Sequence, residues 1–324
     1  MATDTKAARW KVYLGYGAFG LVAFVLCLMF TFPYDMVRTR LVTEAAREGY
    51  AVRIGSLRPG LAGVTATNVR VSKPPQPLSA ETVAALASGE GGMLGAAELG
   101  EAVVLDSVAL RPTLFPPGVA VRASVMGGTV TASVGWLGDT TVRAELSKLK
   151  ASGGNLPAFT GVDMDGELNG VLSLSVPKGK GSETDLSQAN GELSLDTQNL
   201  IIKGGKASIP MGGGQSMAMD LPQVALGGLV GRIQFEKGLG TVKELKLQGD
   251  DVELLATGTL KLGKRLEYSE PAMDVNLRLD PEAQKRLGLL AAGLTILPPD
   301  KKDPSFRAAK LGGFLNRPTF LPRR

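Results

Sequence analysis

The sequence contains no histidine and only one cysteine, Cys27. Without histidine, the chain lacks the usual general base near neutral pH, the Ser-His and Cys-His nucleophile pairs, and the commonest transition-metal ligand. With one cysteine, no disulfide can form within the chain. These absences argue against most enzyme classes, so we expect a protein without catalytic activity, cofactor or bound metal.

Aromatic residues are also scarce, at 5% of the chain, although the net charge is +5 and the isoelectric point is about 9.2. Lysine and arginine are spread along the sequence, so no stacking platform or basic patch for nucleic acid is indicated. The one basic concentration lies in 301–324, where prolines interleave with it. We predict a solvated tail there, with contact to anionic lipid headgroups or an acidic partner as the alternative.

Long hydrophobic runs are missing as well, apart from one that extends from Val12 through Leu21 to Phe32. As a helix with a rise of ~1.5 Å per residue it is about 30 Å long, which matches the hydrocarbon core of a bilayer. A cleaved signal peptide has a shorter apolar core and a small-residue cleavage site, and the exit through Thr31–Asp35 offers no such site. We therefore predict an uncleaved signal-anchor over 12–32 that crosses the membrane once.

Basic residues on both sides of this run bear on its orientation. Lys6, Arg9 and Lys11 precede it, which favours retention of 1–11 in the cytoplasm. Arg38 and further arginines follow it and weaken that bias, but a large polar domain after an N-terminal anchor is translocated largely regardless of its charge. We expect a single-pass inner-membrane protein whose N-terminus is cytoplasmic and whose main domain lies outside the cytoplasm.

Residues 33–49 have the pattern of an amphipathic helix. Pro33 ends the preceding helix, and Asp35 is placed to cap a new one. The apolar stripe of this helix consists of Val37, Leu41, Val42 and Ala45. Arginines and glutamates occupy the other side, so we expect the helix to cover the end of a sheet, with a position along the membrane surface as the alternative.

From 50 to 300 the hydrophobic period changes to two. Alternating segments such as Tyr50–Ile54 and Val242–Gly249 are separated by glycines, the pattern of strands joined by turns. The pair Gly127-Gly128 predicts a hairpin. One short helix is predicted within Glu81–Leu86.

A second short helix is predicted near the end of this region. Asp280 is placed to cap it, Pro281 occupies its first position, and Glu282 faces Arg286 one turn later. Apart from these helices the strands follow one another directly. Parallel strands would need helical crossovers and continuous apolar runs, and the sequence has neither.

We therefore predict a mainly β fold: a long curved antiparallel sheet of one-faced strands with a few short helices, preceded by one transmembrane helix. The apolar face of such a sheet must be covered by the helices, by closure of the sheet, or by a ligand or partner. Leucine-rich alternating strands more often pack into an ordinary hydrophobic core, and a lipid-binding groove is the alternative that this sequence allows.

Three short motifs approach known sites without matching them. Asp163–Asn169 alternates oxygens like a calcium loop, but Leu168 and Leu174 stand where its glycine and final glutamate are needed. Pro177–Ser182 lacks the spacing of a phosphate loop, and Gly212–Met217 lacks the second glycine of a nucleophile elbow. We predict no catalytic, cofactor-binding or metal-binding residue.

Three segments resemble the protein N family of the type II secretion system (GspN): Phe32–Leu41, Val52–Val64 and Thr67–Val71. The hairpin at Gly127–Val130 and the series of Gly-x-Leu strands fit the same family. The resemblance implies an accessory component, anchored in the bacterial inner membrane with its main domain in the periplasm, of the machinery that moves folded proteins across the outer membrane. It carries over no catalytic residue.

The same opening, an anchor followed by an amphipathic helix and the first strands, is similar to the wider AsmA-like group, whose long sheets are associated with lipid traffic between membranes. Two hypotheses follow. In the first, a scaffold contacts other secretion components through exposed strand edges or through Phe314, Arg317 and Phe320 near the C-terminus. In the second, the sheet is a lipid-binding or lipid-transfer scaffold. A membrane-bound hydrolase is disfavoured, because no nucleophile has a base.

Overall fold

The computed structural model describes Tyr16, Phe19, Gly20, Ala23 and Cys27 as single positions and then residues 34–60, 63–74, 76–89, 95–155, 162–178, 185–212, 215–294 and 296–323. The tail 1–11 and most of the predicted anchor 12–32, including Val12, Leu21 and Phe32, lie outside the described residues. Among the residues that are described, no helix has the length and apolar character needed to cross a membrane.

The fold is one antiparallel sheet of 14 strands. Its strands are β1 (Ala51–Gly60), β2 (Gly63–Ser72), β3 (Ala102–Leu114), β4 (Pro117–Val125), β5 (Gly128–Gly135), β6 (Thr140–Lys150), β7 (Met164–Val176), β8 (Asn190–Ile202), β11 (Val224–Glu236), β12 (Leu239–Gln248), β13 (Val252–Lys261), β14 (Glu270–Leu279), β15 (Arg307–Phe314) and β16 (Arg317–Pro322). A separate hairpin of β9 (Gly205–Gly212) and β10 (Gln215–Leu221) is inserted between β8 and β11. Otherwise each strand pairs with its neighbour in the chain, which confirms the predicted long antiparallel sheet without crossovers.

The described helices are few and short. They are α1 (Tyr34–Arg47), α2 (Ala80–Ser88), α3 (Ala96–Leu99), α4 (Pro281–Leu287) and α5 (Leu289–Leu294), with 3₁₀ turns at Leu186–Gln188 and Leu266–Tyr268. The helix predicted within Glu81–Leu86 is confirmed as α2, which is longer because Ser79 caps it by accepting a hydrogen bond from the Thr82 N–H at 3.1 Å. Helix α1 already includes Asp35 in its first turn, so the prediction of Asp35 as its cap is wrong.

Helix α4 begins as predicted, because the Asp280 carboxylate accepts a hydrogen bond from the Glu282 N–H at 3.0 Å and Pro281 is its first residue. The predicted pairing of Glu282 with Arg286 is wrong. Glu282 pairs with Lys285 at 2.9 Å, and Arg286 reaches Asp251 at 2.5 Å. Asp251 lies in the turn before β13, so the sheet offers Arg286 a less exposed carboxylate than the helix does.

The hairpin predicted at Gly127-Gly128 is confirmed, with its centre shifted by one residue. Val125 pairs with Gly128, and Met126 and Gly127 between them have φ values of 56° and 70°. Two successive left-handed residues match the right-handed twist of the flanking strands. Glycine lowers the cost of that conformation at the second position.

The prediction of a solvated C-terminal tail over 301–324 is wrong for most of that segment. Strands β15 and β16 extend the sheet to Pro322, and Val275 of β14 pairs with Ala309 of β15. The segment 307–322 lacks the period-two alternation that identifies strands in a sequence, because small residues and prolines stand where alternating apolar residues would be expected.

The two faces of the sheet differ in chemistry along its length. One row in register across nine strands is almost entirely apolar: Val64, Leu110, Val121, Ala132, Ala144, Leu172, Leu193, Ile233 and Val242. The adjacent row is largely polar: Thr65, Ala109, Arg122, Thr131, Glu145, Val171, Ser194, Arg232 and Glu244. We call the first surface the apolar face and the second the polar face. The predicted one-faced strands are therefore confirmed.

Bulges interrupt this alternation in several strands. Pairing shifts by one residue near Lys148 in β6 and Gly227 in β11, where the φ values are 53° and 72°. A bulge resets the period, so Leu146 and Leu149 both belong to the apolar face although they are three positions apart. Bulges also bend the strand and increase its twist, which gives a long sheet its curvature.

Candidate interaction surfaces

The apolar face is covered differently along the sheet. In its C-terminal half, β7 and β11–β14 contribute to one buried cluster that includes Leu174, Phe235, Ala256, Leu260 and Met273. Leu193 of β8, the strand between β7 and β11, packs against this cluster, so the cluster extends over six neighbouring strands. At one end of the same half, Leu287 of α4 packs against a second cluster formed by Val224, Leu247 and Val252.

The N-terminal helices do not cover the apolar face. Helices α1 and α2 pack against β1 through a cluster of Val42, Leu86, Leu99 and Ala51. Ala51 pairs with Ser72, and Ser72 lies on the opposite side of β2 from Val69. Val69 is in register with Leu105 and with Val125 of the apolar face, because a bulge at residue 106 resets the period of β3. These helices therefore lie on the polar face. The expectation that residues 33–49 cover the end of a sheet is confirmed for α1.

The apolar face of β4–β6 has no such cover. Ala123, Val125 and Leu149 at one end of it are buried. The other side chains are only partly buried: Val119, Val121, Val130, Ala132, Val134, Val142, Ala144 and Leu146. In the part of the chain that the structure describes, no helix makes more than marginal contact with these strands. The apolar face therefore consists of an enclosed C-terminal half and an accessible stretch over β4–β6, and the latter is one candidate surface.

The C-terminal edge of the sheet is the second candidate surface, and it contains the three predicted contact residues. Every residue of β16 is exposed. Phe314 and Arg317 pair across the β15–β16 turn, whereas Phe320 pairs with Leu311. By strand alternation Phe320 lies on the opposite side of the hairpin from Phe314 and Arg317, so the predicted residues do not form one patch.

Two residues that sequence reasoning missed extend the Phe314 side. Tyr268 contacts Phe314 edge to face, with ring centroids 6.5 Å apart, and Leu266 is exposed beside it. The backbone N–H of Leu315 donates to the Ser269 carbonyl at 2.9 Å, which fixes the hairpin turn to the turn before β14. Leu266 and Tyr268 carry no periodic signal because they lie in a 3₁₀ turn.

A cleft of about 500 Å³ adjoins this edge and lies between residues from the first-strand end and the last-strand end of the sheet. It is lined by Glu48, which precedes β1, and by Leu266 and Leu315, which belong to the other end. The sheet is thus curved enough to bring the segment after α1 close to the last hairpin.

Charged groups hold the last strand in position. Arg323 forms ion pairs with Asp274, at 3.4 Å, and with Asp300. Burial of Asp300 opposes its ionisation, but the backbone N–H groups of Lys302 and Asp303 and the Arg323 guanidinium outweigh it, so the pKa of Asp300 lies below its ordinary value of 3.8. Asp300 therefore stays ionised near neutral pH.

Two further carboxyls with a lowered pKa are Asp165, at the start of β7, and Asp185, which precedes a 3₁₀ turn. Hydrogen bonds from the Gly166 N–H and the Ser152 hydroxyl lower the pKa of Asp165, and hydrogen bonds from Ser187 lower that of Asp185. A carboxylate with a lowered pKa is a weaker base, so these groups stabilise turns and do not supply a general base. Among the described residues, no three potential ligands are grouped closely enough to hold a metal ion.

No protein-family model matches the chain, and no curated protein and no solved structure matches it either. The resemblance to the type II secretion protein N family therefore stays a prediction from the residues quoted above.

Proposed function

We propose that this chain is a non-catalytic component of a type II secretion apparatus, anchored in the inner membrane with its sheet in the periplasm, and that it acts by docking other components of the apparatus. The proposal combines the resemblance carried by Phe32–Leu41 and Val52–Val64 with one structural observation. That observation is the fully exposed last strand β16, whose large apolar side chains face solvent.

Docking at β16 is expected to use side chains and not strand addition. The two-residue turn between Phe314 and Arg317 places the N–H groups of residues 317, 319 and 321 toward β15. The outward positions are therefore 318, 320 and 322, and two of them are Pro318 and Pro322. Proline has no N–H, so the edge offers little for a partner strand to pair with. Phe320 and Leu321 are the contacts that it offers.

The test uses the full chain in a host that carries the apparatus. Phe320, 65% exposed, and Leu321, 59% exposed, are each changed to serine, and Leu137→Ser, at a site 68% exposed in the loop after β5, is the matched control. We expect the first two variants to co-purify several-fold less of the inner-membrane secretion components and to secrete less cargo. Normal co-purification of both variants would contradict the proposed role of this edge.

A second candidate function is supported by the accessible apolar face of β4–β6. Partly exposed valines in register across these strands are suited to acyl chains, so a lipid-binding or lipid-transfer scaffold is the alternative. Val130→Asn introduces a polar group there, and Thr131→Asn on the polar face is the control. Native mass spectrometry of the detergent-purified chain is expected to show less bound lipid only for Val130→Asn. Equal amounts of lipid on both variants would remove this candidate.

A further inference from the structure

Two adjacent turns at one end of the sheet expose large apolar side chains. Leu114 and Phe115, where β3 turns into β4, are 82% and 92% exposed. Trp136 and Leu137, in the loop after β5, are exposed as well. The two turns are in contact, because the Trp136 N–H donates to the Pro117 carbonyl at 3.0 Å. We call Leu114, Phe115, Trp136 and Leu137 the loop-tip patch.

The fold itself does not require apolar side chains in the loop-tip patch. Turns are normally built from small and polar residues that water solvates well. Leu114 and Phe115 belong to none of the buried clusters formed by the described residues. A contiguous exposed apolar patch is typical of a surface that meets a protein or a membrane. The charges beside the patch distinguish these two.

Three arginines lie near the patch on the polar face of β3–β6. Arg111, three positions before Leu114, shares a register row with Arg143 of β6, and Arg122 lies on β4 between them. All three line a cleft of about 240 Å³, to which Glu145 contributes one carboxylate. Among the described residues, none of the three arginines forms an ion pair. The cleft is therefore positively charged, which is complementary to anionic lipid headgroups.

The chain enters the fold from the end of the sheet that carries this patch. Helix α1 packs against β1 and is joined to it by three residues, so the two elements run in opposite directions. The start of α1 therefore points toward the end of β1. Because the strands form an antiparallel meander, the turns after β1, β3 and β5 all lie at this same end. The predicted anchor, which ends directly before α1, approaches the sheet from there.

We propose that the loop-tip patch contacts the surface of the bilayer that holds the anchor, with its apolar side chains among the acyl chains and the arginines of the adjacent cleft beside anionic headgroups. Tryptophan is typical of the membrane–water interface, because its ring is apolar while its N–H can stay hydrated. The inference rests on the anchor that the proposed function includes, but not on docking at β16. Attachment at two points, the anchor and the patch, fixes the orientation of the sheet relative to the membrane.

The experiment uses a fluorescent reporter that belongs to the patch. The chain contains two tryptophans, Trp10 and Trp136, so in a Trp10→Phe background all tryptophan emission comes from Trp136. The full chain is reconstituted into phosphatidylglycerol vesicles with or without bromine on the acyl chains, because bromine quenches tryptophan on contact. We expect brominated phosphatidylglycerol to lower the emission of Trp136 several-fold. Brominated phosphatidylcholine should quench it less, since its headgroup has no net negative charge.

Two substitutions with matched controls separate the apolar from the charged contribution. Leu114→Ser removes an apolar side chain of the patch, and Ile296→Ser, at a site 76% exposed in the loop after α5, is its control. Leu114→Ser should restore much of the lost emission, whereas Ile296→Ser should behave like the parent. Arg122→Gln should reduce the difference between the two lipids, and Arg70→Gln, at an exposed arginine of β2 outside the cleft, should not. Circular dichroism verifies that each variant folds.

Three results would overturn the proposal. The first is emission from Trp136 that neither brominated lipid lowers, and the second is an equal response of Leu114→Ser and Ile296→Ser. The third is reduced co-purification of secretion components by Leu114→Ser without quenching of Trp136, which would assign the patch to a protein partner. Leu137→Ser stays a control for docking at β16, because co-purification is measured in detergent, where the patch has no bilayer to contact. Failure of docking at β16 and failure of the bilayer contact are thus distinguishable.

Discussion

Individual carboxylates in this chain fix the positions of nearby loops and strands by accepting hydrogen bonds and forming ion pairs. Asp300 is 5% exposed, yet it is kept ionised because it accepts hydrogen bonds from two backbone N–H groups and pairs with Arg323. Arg323 directly follows β16, so this ion pair fixes the edge strand to the loop before β15. At the same loop, the Arg278 guanidinium lies 4.8 Å from the centroid of the buried Phe306 ring.

Asp300→Asn is expected to lower the Tm of the C-terminal part of the sheet near neutral pH. The folded-state pKa of Asp300 lies below 3.8, so its stabilising effect is present above that pH and is lost as pH falls through the folded-state value. The Tm difference between wild type and variant should therefore shrink on acidification. Melting curves across pH measure it, with the exposed Glu101→Gln as the control. A difference that stays constant with pH would contradict this role.

At the scale of elements, the last strand β16 exposes its side chains while its backbone edge is protected from pairing with another strand. A free sheet edge invites pairing with another chain, and proline is one of the residues that prevent it. Pro318 and Pro322 occupy outward positions of β16, while the backbone groups at 317, 319 and 321 face β15. The same strand can therefore present Phe320 and Leu321 to a partner without recruiting copies of itself.

Replacing Pro318 and Pro322 together by alanine restores two outward N–H groups on β16. We expect this variant to self-associate more than the wild type, because its edge can then pair with the edge of a second molecule. Mass photometry in detergent over a range of concentrations measures this. Thr319→Ala on the same strand adds no outward donor and should behave like the wild type. An unchanged mass distribution for the double variant would show that the prolines do not protect this edge.

For the whole molecule, the meander means that each strand depends mainly on its neighbours in sequence, as repeats do in an elongated protein. Buried clusters lie at β7 and β11–β14, and where α1 and α2 meet β1. Between them, Val119 and Val121 of β4 and the apolar-face side chains of β5 are only partly buried. Stability is therefore expected to vary along the sheet, so that one free energy of unfolding does not describe it.

Hydrogen exchange followed by mass spectrometry should reveal this gradient. We expect amides of β11–β14 to exchange at least about ten-fold more slowly than those of β4 and β5, because opening the enclosed half exposes more apolar surface. Phe235→Ala, at a site 4% exposed, should speed exchange in β11–β13 by creating a cavity and leave β4 and β5 unchanged. Uniform exchange along the sheet, or an equal response of both regions to the substitution, would contradict this description.

The sequence alone determined the features that depend on neighbouring residues. Period-two alternation such as Tyr50–Ile54 identified the strands and their apolar sides, and Asp280-Pro281 located the start of α4. Local signals suffice there because the direction of a side chain in a strand and the cap of a helix depend on a few adjacent residues.

Only the tertiary structure decided what depends on register and bending. It placed α1 and α2 on the polar face, set Phe320 on the opposite side of its hairpin from Phe314, and brought Arg53 opposite Arg70. The tertiary structure also adds 307–322 to the sheet as β15 and β16, because edge positions tolerate proline and need no alternating pattern. These outcomes follow from pairing between distant residues and from bulges that reset the period, and no local pattern specifies either of them.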